Sequence, residues 1–109
     1  MPGAERGSVV AEFAVAMPAV LLVLATALGA ALVLRQRVIG AADTAALAAA
    51  DAASGAMPGI PCALAERVAE ANRAALSGCE LDGLIATVTV SATFGAVPFS
   101  ARSTAGPPP

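Results

Sequence analysis

The stretch FAVAMPAVLLVLATALGAALVL, residues 13–34, decides the architecture, because 22 consecutive residues carry no charge. As a helix rising about 1.5 Å per residue it spans roughly 33 Å. A bilayer core needs about 20 such residues. Thr26 is the only polar side chain inside. Pro18 and Gly29 are better tolerated in a membrane helix than in a soluble one. Arg35 and Arg37 close the run and are placed to snorkel to the interface. Composition agrees: 58% of the 109 residues are hydrophobic, only 13% are charged, and Trp and Tyr are absent. Alanine fills the space, and alanine favours helices more than it builds large cores.

A cleaved secretory signal is the competing reading. Its apolar region is usually about 7–15 residues, shorter than this one. Small-x-small sites exist at Ala25-Thr26-Ala27 and Gly29-Ala30-Ala31, but such matches arise easily in an alanine-rich chain. The pair Ala25 and Gly29 has small-xxx-small spacing for the same reason.

The helical pattern continues past Leu34. Residues 35–53 lack Pro and are rich in Ala and Leu, so one helix is expected over residues 8–53, its second half standing outside the membrane. Ser54-Gly55 and Pro58-Gly59 break it. A second helix is expected over residues 61–76, started by Pro61. Leu64, Val68, Ala71 and Ala75 would form its apolar face. Glu66, Arg67, Glu70 and Arg73 would form its solvated one, and Ser77-Gly78 its stop.

From Leu84 the period changes to two. In IATVTVSATF, Thr87, Thr89 and Ser91 alternate with Val88, Val90 and Ala92, the mark of a half-buried strand. Phe94-Gly95-Ala96 turns the chain. Residues 97–101 return as a partner strand, kept at an edge by Pro98. The fold class is therefore α+β: a long transmembrane helix, a short second helix and a C-terminal β-hairpin. Residues 54–60 are the breaker loop, 61–105 the small domain, and 106–109, Gly-Pro-Pro-Pro, a disordered tail.

Cys62 and Cys79 bracket the second helix and are the candidate disulfide. A straight helix of that length would hold them about 25 Å apart, whereas a bond needs Cα atoms within about 7 Å. Bonding therefore requires the chain to fold back at Gly78-Cys79 or the helix to be shorter.

The composition excludes several functions. All six cations are Arg and they are scattered, so no basic patch speaks for nucleic acid. With no His and two Cys, a zinc site is hard to build. The sequence holds no nucleophile–base pair and no phosphate loop. No catalytic residue, cofactor, metal or small-molecule substrate is expected. Asp43 and Asp51 lie on roughly one helical face and read as solvated charges, with pairing to Arg on a partner as the alternative.

Glu12 stands near the start of the apolar run, five residues after Gly7. A short polar leader, residues 1–6, precedes Gly7. This arrangement resembles a type IV prepilin, with cleavage between Gly7 and Ser8 and Glu12 as residue five of the mature chain. The Glu12-Phe13-Ala14 continuation looks like the TadE-like minor pilins, or pseudopilins, of the tight-adherence (Flp) pilus system. Ala42-Asp43-Thr44-Ala45-Ala46-Leu47-Ala48-Ala49-Ala50 is similar to the segment that follows the membrane helix in TadE- and TadG-like proteins. Residues 62–90, a Cys, a short helix, a second Cys and a Thr/Val-rich strand, look like short actinobacterial TadE-like proteins. Two departures stand out: the leader holds one Arg and one Glu, and Ser8 takes a place held by Phe in major type IV pilins.

The resemblance implies residues 1–7 as leader and 8–34 as the membrane helix. It implies a prepilin peptidase and other pilin or pilus-assembly subunits as partners. It also implies that Glu12 sets register by meeting a neighbour's free α-amine at Ser8. Charge alone favours the C-terminal part in the cytoplasm, because Arg35 and Arg37 outnumber Arg6. The cysteines favour the opposite orientation, and with the resemblance the reading is a cytoplasmic N-terminus and an extracytoplasmic domain. An unprocessed single-pass envelope protein and a secreted binding protein released by signal peptidase stay open as alternatives.

Overall fold

The computed structural model describes the backbone of residues 2–108 and the side chains of residues 9–108. The element order is α1 (Pro2–Ala53), α2 (Pro61–Ala71), β1 (Ala75–Asp82), β2 (Ile85–Phe94) and β3 (Val97–Ala105). The protein is α+β, with a long apolar N-terminal helix, a short second helix and an antiparallel sheet in the order β1-β2-β3. It divides into two units, Met1–Leu32 and Val33–Pro109.

The first unit is the apolar part of α1, a helix long and apolar enough to cross a membrane. The side chains of residues 9–30 are all exposed. Thr26, the polar exception, donates its hydroxyl to the Leu22 carbonyl at 2.7 Å, so it presents no unsatisfied donor to hydrocarbon. α1 begins at Pro2 rather than at the expected residue 8. Met1 lies outside the described residues, as do the side chains of residues 2–8, so the side chains of the expected leader and of Ser8 are not described.

The second unit is built on alanine. Along α1, Val38, Ala41, Ala42, Ala45, Ala46, Ala49 and Ala50 are buried, spaced three and four apart on one face. They share a core with Ala65 and Ala69 of α2, with Ala74, and with Ala86, Val88 and Val90 of the central strand. Val38, Val88 and Val90 are the largest fully buried side chains. Methyl groups allow close approach, but each buries little area.

Two sequence expectations need correction. The second helix stops at Ala71, not Leu76. Asn72 caps it, donating its side-chain amide to the Val68 carbonyl at 2.8 Å. Arg73 then adopts a left-handed φ of 58°, and the Ala74 N–H closes back on the Ala69 carbonyl at 2.9 Å. Arg73 therefore lies on a turn and not on a helical face, and Ala75 is the first residue of a strand. That strand is the second correction: the hairpin of β2 and β3 has a third member, β1, paired antiparallel to β2 from Ala75↔Ser91 to Asp82↔Ile85 with a bulge between Leu76 and Gly78. Its sequence, ALSGCELD, holds no β-branched or aromatic residue, and pairing with a strong neighbour overrides weak propensity.

β3 runs on to Ala105, beyond the expected residue 101, and pairs with β2 along its whole length. Pro98 sits in this edge strand, where a missing N–H is tolerated. The loop over residues 54–60 turns at Gly55 and Gly59, whose φ angles are 82° and 131°. Residues 106–108 have no regular secondary structure, and Gly106 lies close against Ile85. Pro109 lies outside the described residues.

Candidate functional site

Glu12 is exposed on α1. It borders a shallow hollow with Ala11, Val15, Ala16 and Ala19. Val15, Ala16 and Ala19 follow Glu12 by three, four and seven residues, so they share its face of the helix. Two of the three are alanine, leaving room beside the carboxylate for another backbone. The hollow continues along Ala19, Val20, Val23 and Leu24. Gly7 and Ser8 belong to the backbone of α1.

The second feature is covalent. Cys62, in the first turn of α2, and Cys79, midway along β1, form a disulfide with their Cα atoms 5.9 Å apart. The distance objection to this pair disappears because α2 ends at Ala71 and the turn at Arg73 sends β1 back along it. The bond closes a loop across 17 positions, and such a closure contributes about 3 kcal/mol. With a core mostly of alanine, that is a large share of the stability of a small domain.

Sequence reading passed over a third feature. Asp43, expected as a solvated charge, accepts a hydrogen bond at 2.6 Å from the hydroxyl of Ser103 on β3. No local pattern signals a partner 60 residues away. Asp51 is exposed. Thr44, beside Asp43, donates to the Gly40 carbonyl at 2.8 Å within the helix. The opposite face of the sheet is polar: Thr87 and Thr104 hydroxyls meet at 3.1 Å, and Gly78, Glu80, Thr87, Thr89 and Arg102 border a small hollow there. Among the described residues, no three His, Cys, Asp or Glu side chains come together as a metal site would require.

No family model matches this chain, and no curated protein or solved structure matches it either.

Proposed function

We propose that this chain is a membrane-anchored, TadE-like pseudopilin that takes part in assembling a Flp-type pilus or a related secretion machine. It acts by binding, not by catalysis. The observation that carries the reading is Glu12: a lone carboxylate, five residues after a glycine, exposed beside small side chains on an apolar helix. A charge held at mid-membrane costs about 2.5–3.5 kcal/mol on insertion scales and less near the interface. Removing residues 1–7 creates an α-amine at Ser8, and pairing that amine with Glu12 of a neighbouring subunit offsets the cost. The pairing fixes where one helix sits along the next. Prepilin peptidase is the processing partner, and other pilin or pilus-assembly subunits are the packing partners.

The disulfide supports the orientation, because such bonds persist in oxidising compartments. The N-terminus is then cytoplasmic and the unit that begins at Val33 extracytoplasmic. The test is the N-terminal residue and intact mass of the protein from native membranes. A chain starting at Ser8 is the expected result. An intact Met1 or Pro2 makes the protein a plain single-pass anchor and leaves Glu12 a tolerated charge. A soluble product starting near Leu28 or Leu32 makes it a secreted protein. Glu12→Ala separates register from anchoring: it should impair assembly and leave membrane insertion intact.

A further inference from the structure

Within the second unit, three relations set β-strand positions against α1. Ser103 is hydrogen-bonded to Asp43. Arg37 lines a shared hollow with Ala71, Asn72 and Arg73, the residues that lead into β1. The sheet register then carries Ala75 across to Ser91, and Ser91 to Ser100. The spacings agree: from Asp43 to Arg37 is about 9 Å of helix, and from Ser103 to Ser100 about 10 Å of strand. β3 extends a further three residues beyond Ser100 to Val97, about another 10 Å. Arg37 to Leu34 covers only about 5 Å of helix. The β2–β3 turn therefore reaches at least as far as Val33 and Leu34, where the apolar run ends. Leu34 and Phe99 both pack on the same core, as this placement requires.

The tip is flanked by exposed apolar side chains. Phe94 and Val97 are 40% and 55% exposed, Pro98 is exposed beside them, and residues 92–101 contain no charge. The turn itself is ordinary, with Gly95 supplying the positive φ of 60° that a two-residue hairpin requires; what is apolar is its flanks. The cations Arg35, Arg37 and Arg73 gather at this end of the unit and are exposed, with Glu70 offsetting one of them. The β1–β2 turn at the other end of the sheet also exposes Leu84 and Ile85, but it carries Glu80 and Asp82. The charge difference separates the two turns: one suits an anionic lipid surface, the other is repelled by it.

We propose that the β2–β3 tip, Phe94, Val97 and Pro98, is a second membrane contact. It seats in the headgroup region, with Arg35, Arg37 and Arg73 against lipid phosphates. This rests on the reading of residues 13–34 as membrane-spanning.

The chain contains no Trp or Tyr, so one introduced Trp reports alone. The variants are Val97→Trp and Phe94→Trp at the tip, Leu84→Trp at the opposite turn and Leu24→Trp in the helix. Each full-length variant is reconstituted in phosphatidylcholine–phosphatidylglycerol vesicles, with and without brominated acyl chains. Intact mass under non-reducing conditions selects variants that have formed the disulfide. The expected result is strong quenching of Leu24→Trp, and quenching of both tip variants several times that of Leu84→Trp. Tip variants no more quenched than Leu84→Trp, alongside a quenched Leu24→Trp, overturn the proposal and leave the spanning helix standing. An unquenched Leu24→Trp removes the spanning helix and the tip contact together.

Discussion

Asp43 on α1 and Ser103 on β3 lie 60 positions apart in sequence and 2.6 Å apart in space. Theirs is a direct polar tie between the long helix and the edge strand. Ser103 pairs with Val88 in the sheet, and Val88 is among the largest fully buried side chains, so the tie sits directly beside the core. Because the carboxylate is exposed, solvent replaces part of what is lost when the serine hydroxyl is removed. Ser103→Ala should lower stability by about 1 kcal/mol. Urea unfolding of the detergent-solubilised chain, followed by circular dichroism, reads this as a lower midpoint with an unchanged slope.

The disulfide should dominate the stability of the second unit. Cys79→Ser removes the loop closure and should cost about 3 kcal/mol. The same loss should follow from adding reductant to the unaltered chain, and reductant should do nothing further to the variant. Limited proteolysis within residues 54–82, compared with and without reductant, checks both statements.

Adjacent residues on α1 should respond in opposite ways to a change of size. Ala46 is fully buried, whereas Leu47 is 58% exposed. Ala46→Leu forces a large side chain between helix and sheet and should cost about 1–3 kcal/mol. Leu47→Ala should stay within about 0.5 kcal/mol of the unaltered chain. Thermal melts of the two variants in the same detergent decide it. Equal effects would mean that the buried face of α1 has been misassigned.

Gly59 is held by its backbone. Its φ is 131°, and a Cβ there would stand 3.2 Å from Cδ1 of Leu64. Gly59→Ala combines a conformation closed to L-residues with a crowded contact and should cost about 1–3 kcal/mol. Gly55→Ala is the informative comparison. Its φ is also positive, but nothing lies within 4 Å of the added methyl, so its melting temperature should fall less.

What the sequence disclosed followed from how local each signal was. The uncharged run over residues 13–34 needs no tertiary context, and neither does the alternation of Thr87, Val88, Thr89 and Val90. The alanines of residues 41–50 announced a helix but not its buried face, because alanine reports propensity and says little about burial. β1 was hidden for a related reason. Ala75 continued the apolar spacing of α2, and Ser77-Gly78 looked like the end of a helix. The bulge there is instead an irregularity inside a strand, where the Ser77 hydroxyl bonds the Thr89 carbonyl at 3.2 Å. For the site, the spacing of Gly7 and Glu12 was legible. The small side chains lining Glu12's face could be counted from the sequence, but the hollow they leave needed coordinates. The Asp43–Ser103 pair depends on how the sheet docks, which no short window contains.

The alanine face of α1 has a mechanical consequence. Advance the helix by four residues, about 6 Å, and Ala41, Ala42, Ala45 and Ala46 move onto positions that Ala45, Ala46, Ala49 and Ala50 held. The alanine stretch itself is chemically unchanged by this, but the same advance carries Arg37 onto the buried place of Ala41 and Val38 onto that of Ala42, and burying an unpaired cation is costly. Arg37, which must stay in water, Val38, a larger knob beside it, and Asp43, hydrogen-bonded to one serine, are what mark a single setting. The contact between helix and sheet thus behaves as a smooth rail with stops at one end, and its axial position is governed by three side chains rather than by the alanines that fill it.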